Sequence, residues 1–155
     1  MKRVTWAVLG LCILFVTFIT PSAQAAIVTD LIAGQNEVVG GVTITNDAVS
    51  ATATYQITEP GWCIVVTHFY AGTQPPEKAA PGRFPFKDRH PCVQTVQYTV
   101  PLTGEFSGGF YAAAHAEVVI VDDETGRITR NETAWGLGPF NMPTGWGWYF
   151  AFIVE

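Results

Sequence analysis

Residues 62–70 read WCIVVTHFY, and this stretch is the strongest indication of fold class in the chain. It is rich in aromatic and β-branched residues, a composition typical of a β-strand. Strict alternation divides it into two faces, Ile64, Val66, His68 and Tyr70 on one side and Cys63, Val65, Thr67 and Phe69 on the other. We therefore predict a strand over residues 62–70.

Similar short runs recur on both sides of this stretch, separated by many of the 15 glycines and 10 prolines of the chain. That punctuation is incompatible with long helices but suits short strands joined by turns. The predicted strands cover residues 27–32, 38–45, 50–57, 62–70, 94–101, 110–121, 128–135 and 147–154. About eight strands with short connections predict an all-β fold, an antiparallel β-sandwich or a barrel-like sandwich.

The last predicted strand carries a heavy aromatic stripe that must face a core or a partner. Its members are Trp146, Trp148, Phe150, Phe152 and Val154. We expect this stripe to complete the core of its own domain. Because the strand is apolar and close to the end of the sequence, self-association by strand pairing between molecules is the alternative.

The first 25 residues have the pattern of a secretory signal peptide. Lys2 and Arg3 precede an apolar run over residues 4–19, and Ala23-Gln24-Ala25 is a small-x-small cleavage site. We predict cleavage after Ala25, with an uncleaved anchor as the minor alternative. The sequence thus predicts an extracellular location, one domain over residues 26–155 and no stable membrane insertion after cleavage.

Charge restricts the class of partner. Without Lys2 and Arg3 the chain has six basic residues against 13 acidic ones, which argues against nucleic-acid binding. Four of the six, Lys78, Arg83, Lys87 and Arg89, lie in the proline-rich segment 71–91. Of these, Arg83, Lys87 and Arg89 predict an electropositive patch for an anionic sugar or an acidic partner, unless loops are simply where such residues are tolerated.

Two cysteines remain outside the signal peptide, Cys63 and Cys92. In a secreted chain such a pair is expected to form a disulfide. Segment 71–91 lies between them, contains five prolines and shows no strand pattern, so we predict a long loop closed by the bond.

Catalytic motifs are missing from the sequence, so no catalytic residue and no cofactor are predicted. His68 and His115 each interrupt an apolar strand, and we expect them to be structural. The alternative is a small metal-dependent enzyme in which His68, His115 and Glu132 form a metal site of two histidines and one carboxylate.

The order of several short motifs resembles a family of largely uncharacterised β-domains found in secreted and cell-surface proteins. These motifs are AGQ at 33–35, GW at 61–62, THFY at 67–70, PGRFP at 81–85, AAHA at 113–116, ETAWG at 132–136 and GWGWYF at 145–150. The resemblance implies a β-fold and an extracellular location, and it suggests one constellation of His68, His115, Glu132 and Trp135. Gly145 departs from the family's usual asparagine, and the cysteine pair is an addition.

Together these patterns predict a non-catalytic binding or assembly module whose partner is a glycan or a protein surface. Trp135, Phe140, Trp146 and Tyr149 are the predicted aromatic anchors, because such side chains stack on sugar faces or fill a partner's pocket. Each of these side chains has core packing as its alternative role.

Overall fold

The computed structural model describes residues 26–154, which form strands, turns and two single turns of 3-10 helix. The predicted signal peptide, residues 1–25, lies outside the described residues. No helix within the described part is long and apolar enough to cross a membrane. The strands are β1 (Ala26–Ala33), β2 (Glu37–Asn46), β3 (Ser50–Ile57), β4 (Trp62–Gly72), β5 (Phe86–Val93), β6 (Thr95–Pro101), β7 (Gly109–Val121), β8 (Ile128–Gly136), β9 (Phe140–Asn141) and β10 (Trp148–Ile153).

These strands confirm the predicted all-β, antiparallel fold. Eight of them follow one another in the order β5-β4-β7-β8-β1-β2-β3-β6, and every paired neighbour is antiparallel. The sheet curls until its two ends approach each other, which gives a nearly closed barrel with opposing walls packed as in a sandwich.

Polar contacts across the interior hold the opposing walls of the barrel together. The Tyr55 hydroxyl on β3 donates a hydrogen bond to the His68 carbonyl on β4 at 3.0 Å. The Thr67 hydroxyl on β4 lies 2.6 Å from the Tyr98 hydroxyl on β6 and 2.8 Å from Nε2 of His90 on β5. Thr67 is 0% exposed, and these bonds satisfy the polar group that its burial would otherwise leave unpaired.

Apart from these polar contacts the barrel interior is apolar, and the barrel strands contribute alternate residues to it. On β7 the small residues Ala112, Ala114 and Ala116 face inward. Their size leaves room for large inward-facing side chains, among them Phe69 on the neighbouring strand β4 and Tyr55 on β3.

A β-bulge in β4 changes the faces predicted for residues 62–70. The pairing with β7 shifts between Ile64 and Val66, which leaves Val65 as the extra residue. Trp62 and Ile64 therefore point into the barrel together with Phe69, whereas His68 lies on the outer surface. The strict alternation predicted from the sequence was wrong beyond Ile64, because one inserted residue exchanges the two faces.

The proline-rich segment also differs from the prediction. Its second half is β5, an edge strand paired with β4 from Phe69↔Phe86 to Ile64↔Val93, so only residues 73–85 form the connection. Pro91 is compatible with this strand because it lies at an edge, beside the register shift and next to Cys92, whose φ is +62°. The predicted disulfide is present between Cys63 and Cys92, with Cα atoms 5.0 Å apart.

The C-terminal strand pairs within its own chain, as expected. β10 pairs with the beginning of β7, from Phe150↔Ala112 to Ile153↔Gly109, and with the short β9. Phe150 and Phe152 are buried inside the barrel. Trp146 and Trp148, the first members of the predicted stripe, pack outside the barrel instead.

Candidate ligand-binding face

A second apolar cluster lies on the outer face of strands β4, β7 and β8. Its buried members are Phe84, Ala113, Trp135 and Met142, and we call it the outer cluster. Half-buried aromatic residues pack around it, including Trp146, Trp148 and Tyr149. Trp135 is near its centre, since its ring makes edge contacts with Phe84 at 6.1 Å and Trp146 at 6.3 Å between ring centroids.

The backbone at Gly147 fits closely over this cluster. Gly147 has φ +133°, and a Cβ atom there would lie 2.6 Å from the indole of Trp135. Only glycine permits both this conformation and this approach. The Gly147 carbonyl accepts a hydrogen bond from the Met142 amide at 2.9 Å, so the chain that carries Trp146 and Trp148 is fixed against the sheet.

Beside this contact is an open cleft of about 250 Å³. Its walls include the rings of Trp146 and Trp148, which meet edge to face at 6.1 Å between centroids. Gln35 and Asn141 also line the cleft, and neither side-chain amide has a hydrogen-bond partner among residues 26–154. We call this site the tryptophan cleft.

Gln35 occupies an unusual backbone conformation at the edge of the tryptophan cleft. Its φ is +72° and that of Gly34 is +54°, because these two residues form the centre of the tight turn between β1 and β2, closed by the hydrogen bond from the Asn36 amide to the Ala33 carbonyl at 3.2 Å. The turn places the Gln35 side chain at the edge of the cleft.

The predicted aromatic anchors are divided by the structure. Trp135 is buried in the outer cluster, and Trp146 lines the tryptophan cleft. Phe140 is 44% exposed and stacks on Tyr149 with 5.1 Å between ring centroids. Tyr149 in turn meets Tyr111 edge to face, so these three rings form a separate aromatic row.

The two histidines singled out in the sequence do converge. His68 and His115 are paired on neighbouring strands, and their Nδ1 atoms are 3.2 Å apart, so one ring donates a hydrogen bond to the other. His115 also meets Trp135 edge to face at 4.8 Å between centroids. Burial, together with the nearby His68, lowers the pKa of His115 to about 3, so this imidazole is neutral at neutral pH.

Glu132 does not join the two histidines. On β8 it pairs with Val118, three positions from the pair His115↔Trp135, so its side chain lies on the opposite face of the sheet. Its carboxylate is 3.4 Å from the Arg130 guanidinium, which lies over the Trp62 ring at the barrel's end. No group of three or more potential metal ligands occurs within the described part of the chain, and we do not propose the metal site.

The three basic residues of the predicted patch line two different cavities. Lys87 and Arg89 border one of about 430 Å³ together with His68 and Glu117. Arg83 borders another, of about 280 Å³, beside the prolines of residues 75–76. The patch predicted from the sequence is therefore divided between two cavities.

Sequence reasoning did not identify Gln35 and Asn141 as site residues. Gln35 belongs to the AGQ motif but is separated from the tryptophans by more than 100 positions, and nothing local indicates their proximity. Asn141 follows Phe140 in the two-residue strand β9, which is too short to give a pattern.

In comparisons with known proteins, no family model, no curated protein and no solved structure matches this chain. The family resemblance therefore rests on the order of the motifs alone.

Proposed function

We propose that this protein is a secreted, non-catalytic binding module that recognises a glycan in the tryptophan cleft. The observation that carries the proposal is the combination of two indole walls with two side-chain amides that have no partner in the described chain. A sugar ring offers an apolar face of C–H groups and a rim of hydroxyls, and this combination of groups complements both.

Each part of the cleft has a separate role in the proposal. The indoles of Trp146 and Trp148 cover the apolar face of a sugar ring, which needs large flat surfaces. The amides of Gln35 and Asn141 each provide donors and an acceptor, which match hydroxyl groups that also act as both. A concave site that combines apolar walls with a few polar groups is the usual form of a small-ligand site.

Rigidity of the cleft supports the same function. Trp146 rests on Trp135, and Gly147 fixes the segment between the two cleft tryptophans against the sheet. Little freedom of the two indoles is then lost when a ligand binds, which favours affinity from a small contact area, whereas the side chains of Gln35 and Asn141 become ordered on binding.

The proposal is tested by titrating the purified protein with neutral oligosaccharides while indole fluorescence is recorded. We expect a saturable change for at least one oligosaccharide, and a loss of affinity of about tenfold in Trp148→Ala and in Asn141→Ala. Asn141→Ala is the cleaner variant because the side chain is exposed and unpartnered among the described residues.

Gln74→Ala is the matched control, since it removes an amide that lines the separate cavity beside Arg83. Equal affinity in Gln74→Ala and in the wild type would localise binding to the cleft. Failure of a broad panel of neutral oligosaccharides to bind, with capture of a protein ligand through the same cleft, would replace the glycan by a protein surface.

A further inference from the structure

We propose that Lys87, Arg89 and His68 form a second ligand site, which binds an oxyanion such as a carboxylate or sulfate group. This inference concerns a different cavity from the tryptophan cleft and does not depend on the function proposed there. Three neighbouring strands of the outer face build it.

The site follows from the register of the sheet. Lys87 on β5 lies opposite His68 on β4, and Arg89 lies opposite Val66. Lys87 and Arg89 are two positions apart on one strand, so their side chains project from the same face. Both cations and the exposed edge of the histidine pair therefore border one cavity of about 430 Å³.

The two cations are available to a ligand. Arg89 uses its backbone amide to bond with Asp88, and its guanidinium has no ion pair or hydrogen bond with any described residue. The Lys87 ammonium donates one hydrogen bond, to the Gly82 carbonyl at 2.9 Å, and retains two further donors. A guanidinium and an ammonium together match the several oxygens of an oxyanion.

His68 adds a third donor in one of the two tautomers that its bond with His115 allows. The Nδ1 atom of His68 is engaged with Nδ1 of His115. In the tautomer that accepts this bond, the Nε2 atom of His68 carries the proton and can donate to a ligand. Trp135 packs against His115 from the other side and holds the pair in place.

Acidic groups near the cavity set the selectivity. Asp88 lies opposite Thr67, so its carboxylate projects from the inner face of the sheet. Asp88 and Glu117 both border the cavity, and of the two only Glu117 shares the outer face with Lys87 and Arg89. On the outer face two cations stand against one carboxylate, which favours an anion there, and the two carboxylates at the cavity reduce the affinity that the cations would otherwise give.

The test is a titration of the 15N-labelled protein, followed by NMR, with sodium sulfate and separately with sodium glucuronate at constant ionic strength. We expect saturable shifts of amides in β4 and β5 for one or both anions. Arg89→Gln and Lys87→Gln should each weaken binding about three- to tenfold, as expected for loss of a partly exposed charged hydrogen bond.

Two further variants keep the proposal falsifiable. Glu117→Gln should strengthen binding, and Arg83→Gln, the same change of charge at the other cavity, should leave it nearly unchanged. The proposal is overturned if neither anion gives saturable shifts. It is equally overturned if Arg83→Gln weakens binding as much as Arg89→Gln, or if Glu117→Gln weakens it.

Discussion

His115 is a buried imidazole, and among residues 26–154 the ring of His68 is its one polar side-chain contact. Burial of this titratable group makes the stability of the protein depend on pH. Its pKa is about 3 in the folded protein, against an ordinary value of 6.5. The unfolded chain therefore binds more protons than the folded one between these values. The contribution of neutral His115 to stability is fully present above pH 6.5 and is lost as the pH falls towards 3.

We expect the free energy of unfolding to decrease by about 2–3 kcal/mol between pH 7 and pH 4.5 on account of His115. His68 adds to the same trend, because burial also lowers its pKa. Urea denaturation of the wild type and of His115→Gln at both pH values measures the effect. The decrease should be clearly smaller in the variant, and equal decreases would show that His115 is not its source.

Gly147 is a second position where one residue decides local structure. Replacement by alanine would place a Cβ atom 2.6 Å from the Trp135 ring and would also force an L-residue to φ +133°. We expect Gly147→Ala to destabilise the protein by about 2–4 kcal/mol and to weaken glycan binding in the tryptophan cleft.

Gly126→Ala is the control for Gly147→Ala, measured by the same denaturation experiment. Gly126 also has positive φ, +67°, but a Cβ atom there would meet nothing within 4 Å. Its substitution isolates the conformational cost, about 1 kcal/mol. If both variants lost the same stability, the contact with Trp135 would have no energetic role.

At the scale of elements, the sequence predicted strands better than it predicted their faces. Eight of the strands have the alternating pattern expected of half-buried segments, and the structure contains strands at all eight places. The bulge at Val65 could not be predicted, because no residue there has the conformational preference that marks a bulge. It moves Phe69 into the core and His68 to the outer face, and so creates the contact with His115.

Strand β5 was missed for a different reason. Its central residues are exposed and mostly charged, so it has no apolar period, and Pro91 argues against a strand. It forms because β4 offers a free edge and because the disulfide holds Cys92 beside Cys63. Lys87 and Arg89 are consequently placed on a strand instead of a loop.

The disulfide should stabilise the fold by constraining the unfolded chain. It closes a segment of 29 residues between paired strands, for which the expected gain is about 2–4 kcal/mol. The double variant Cys63→Ala/Cys92→Ala should melt about 6–15 °C lower than the wild type. Thermal unfolding followed by circular dichroism measures this difference, and identical melting temperatures would contradict it.

On the scale of the whole molecule, the inner core and the outer cluster share the same strands. Ala134 on β8 faces the barrel interior, and the next residue, Trp135, is near the centre of the outer cluster. On β7, Ala113 belongs to the outer cluster between two alanines of the inner core. The outer cluster cannot keep its strands if the barrel unfolds, because both are built on strands β7 and β8. We therefore expect a single cooperative unfolding transition.

Tryptophan fluorescence tests this cooperativity, because the tryptophans are divided between the two layers. Trp62 is in the barrel interior, whereas Trp135, Trp146 and Trp148 belong to the outer layer. The variant Trp62→Phe removes the interior tryptophan, so the tryptophan fluorescence of residues 26–154 then comes from the outer layer alone. Its urea transition should coincide with the transition of the sheet measured by circular dichroism.

An earlier fluorescence transition would mean that the outer layer separates before the barrel unfolds. The tryptophan cleft would then be a mobile covering, and ligand binding would have to order it at a cost in affinity. Coincident transitions would mean that the barrel holds the cleft in its binding geometry. A saturating ligand of that cleft should in that case raise both midpoints equally, because it binds the folded state only.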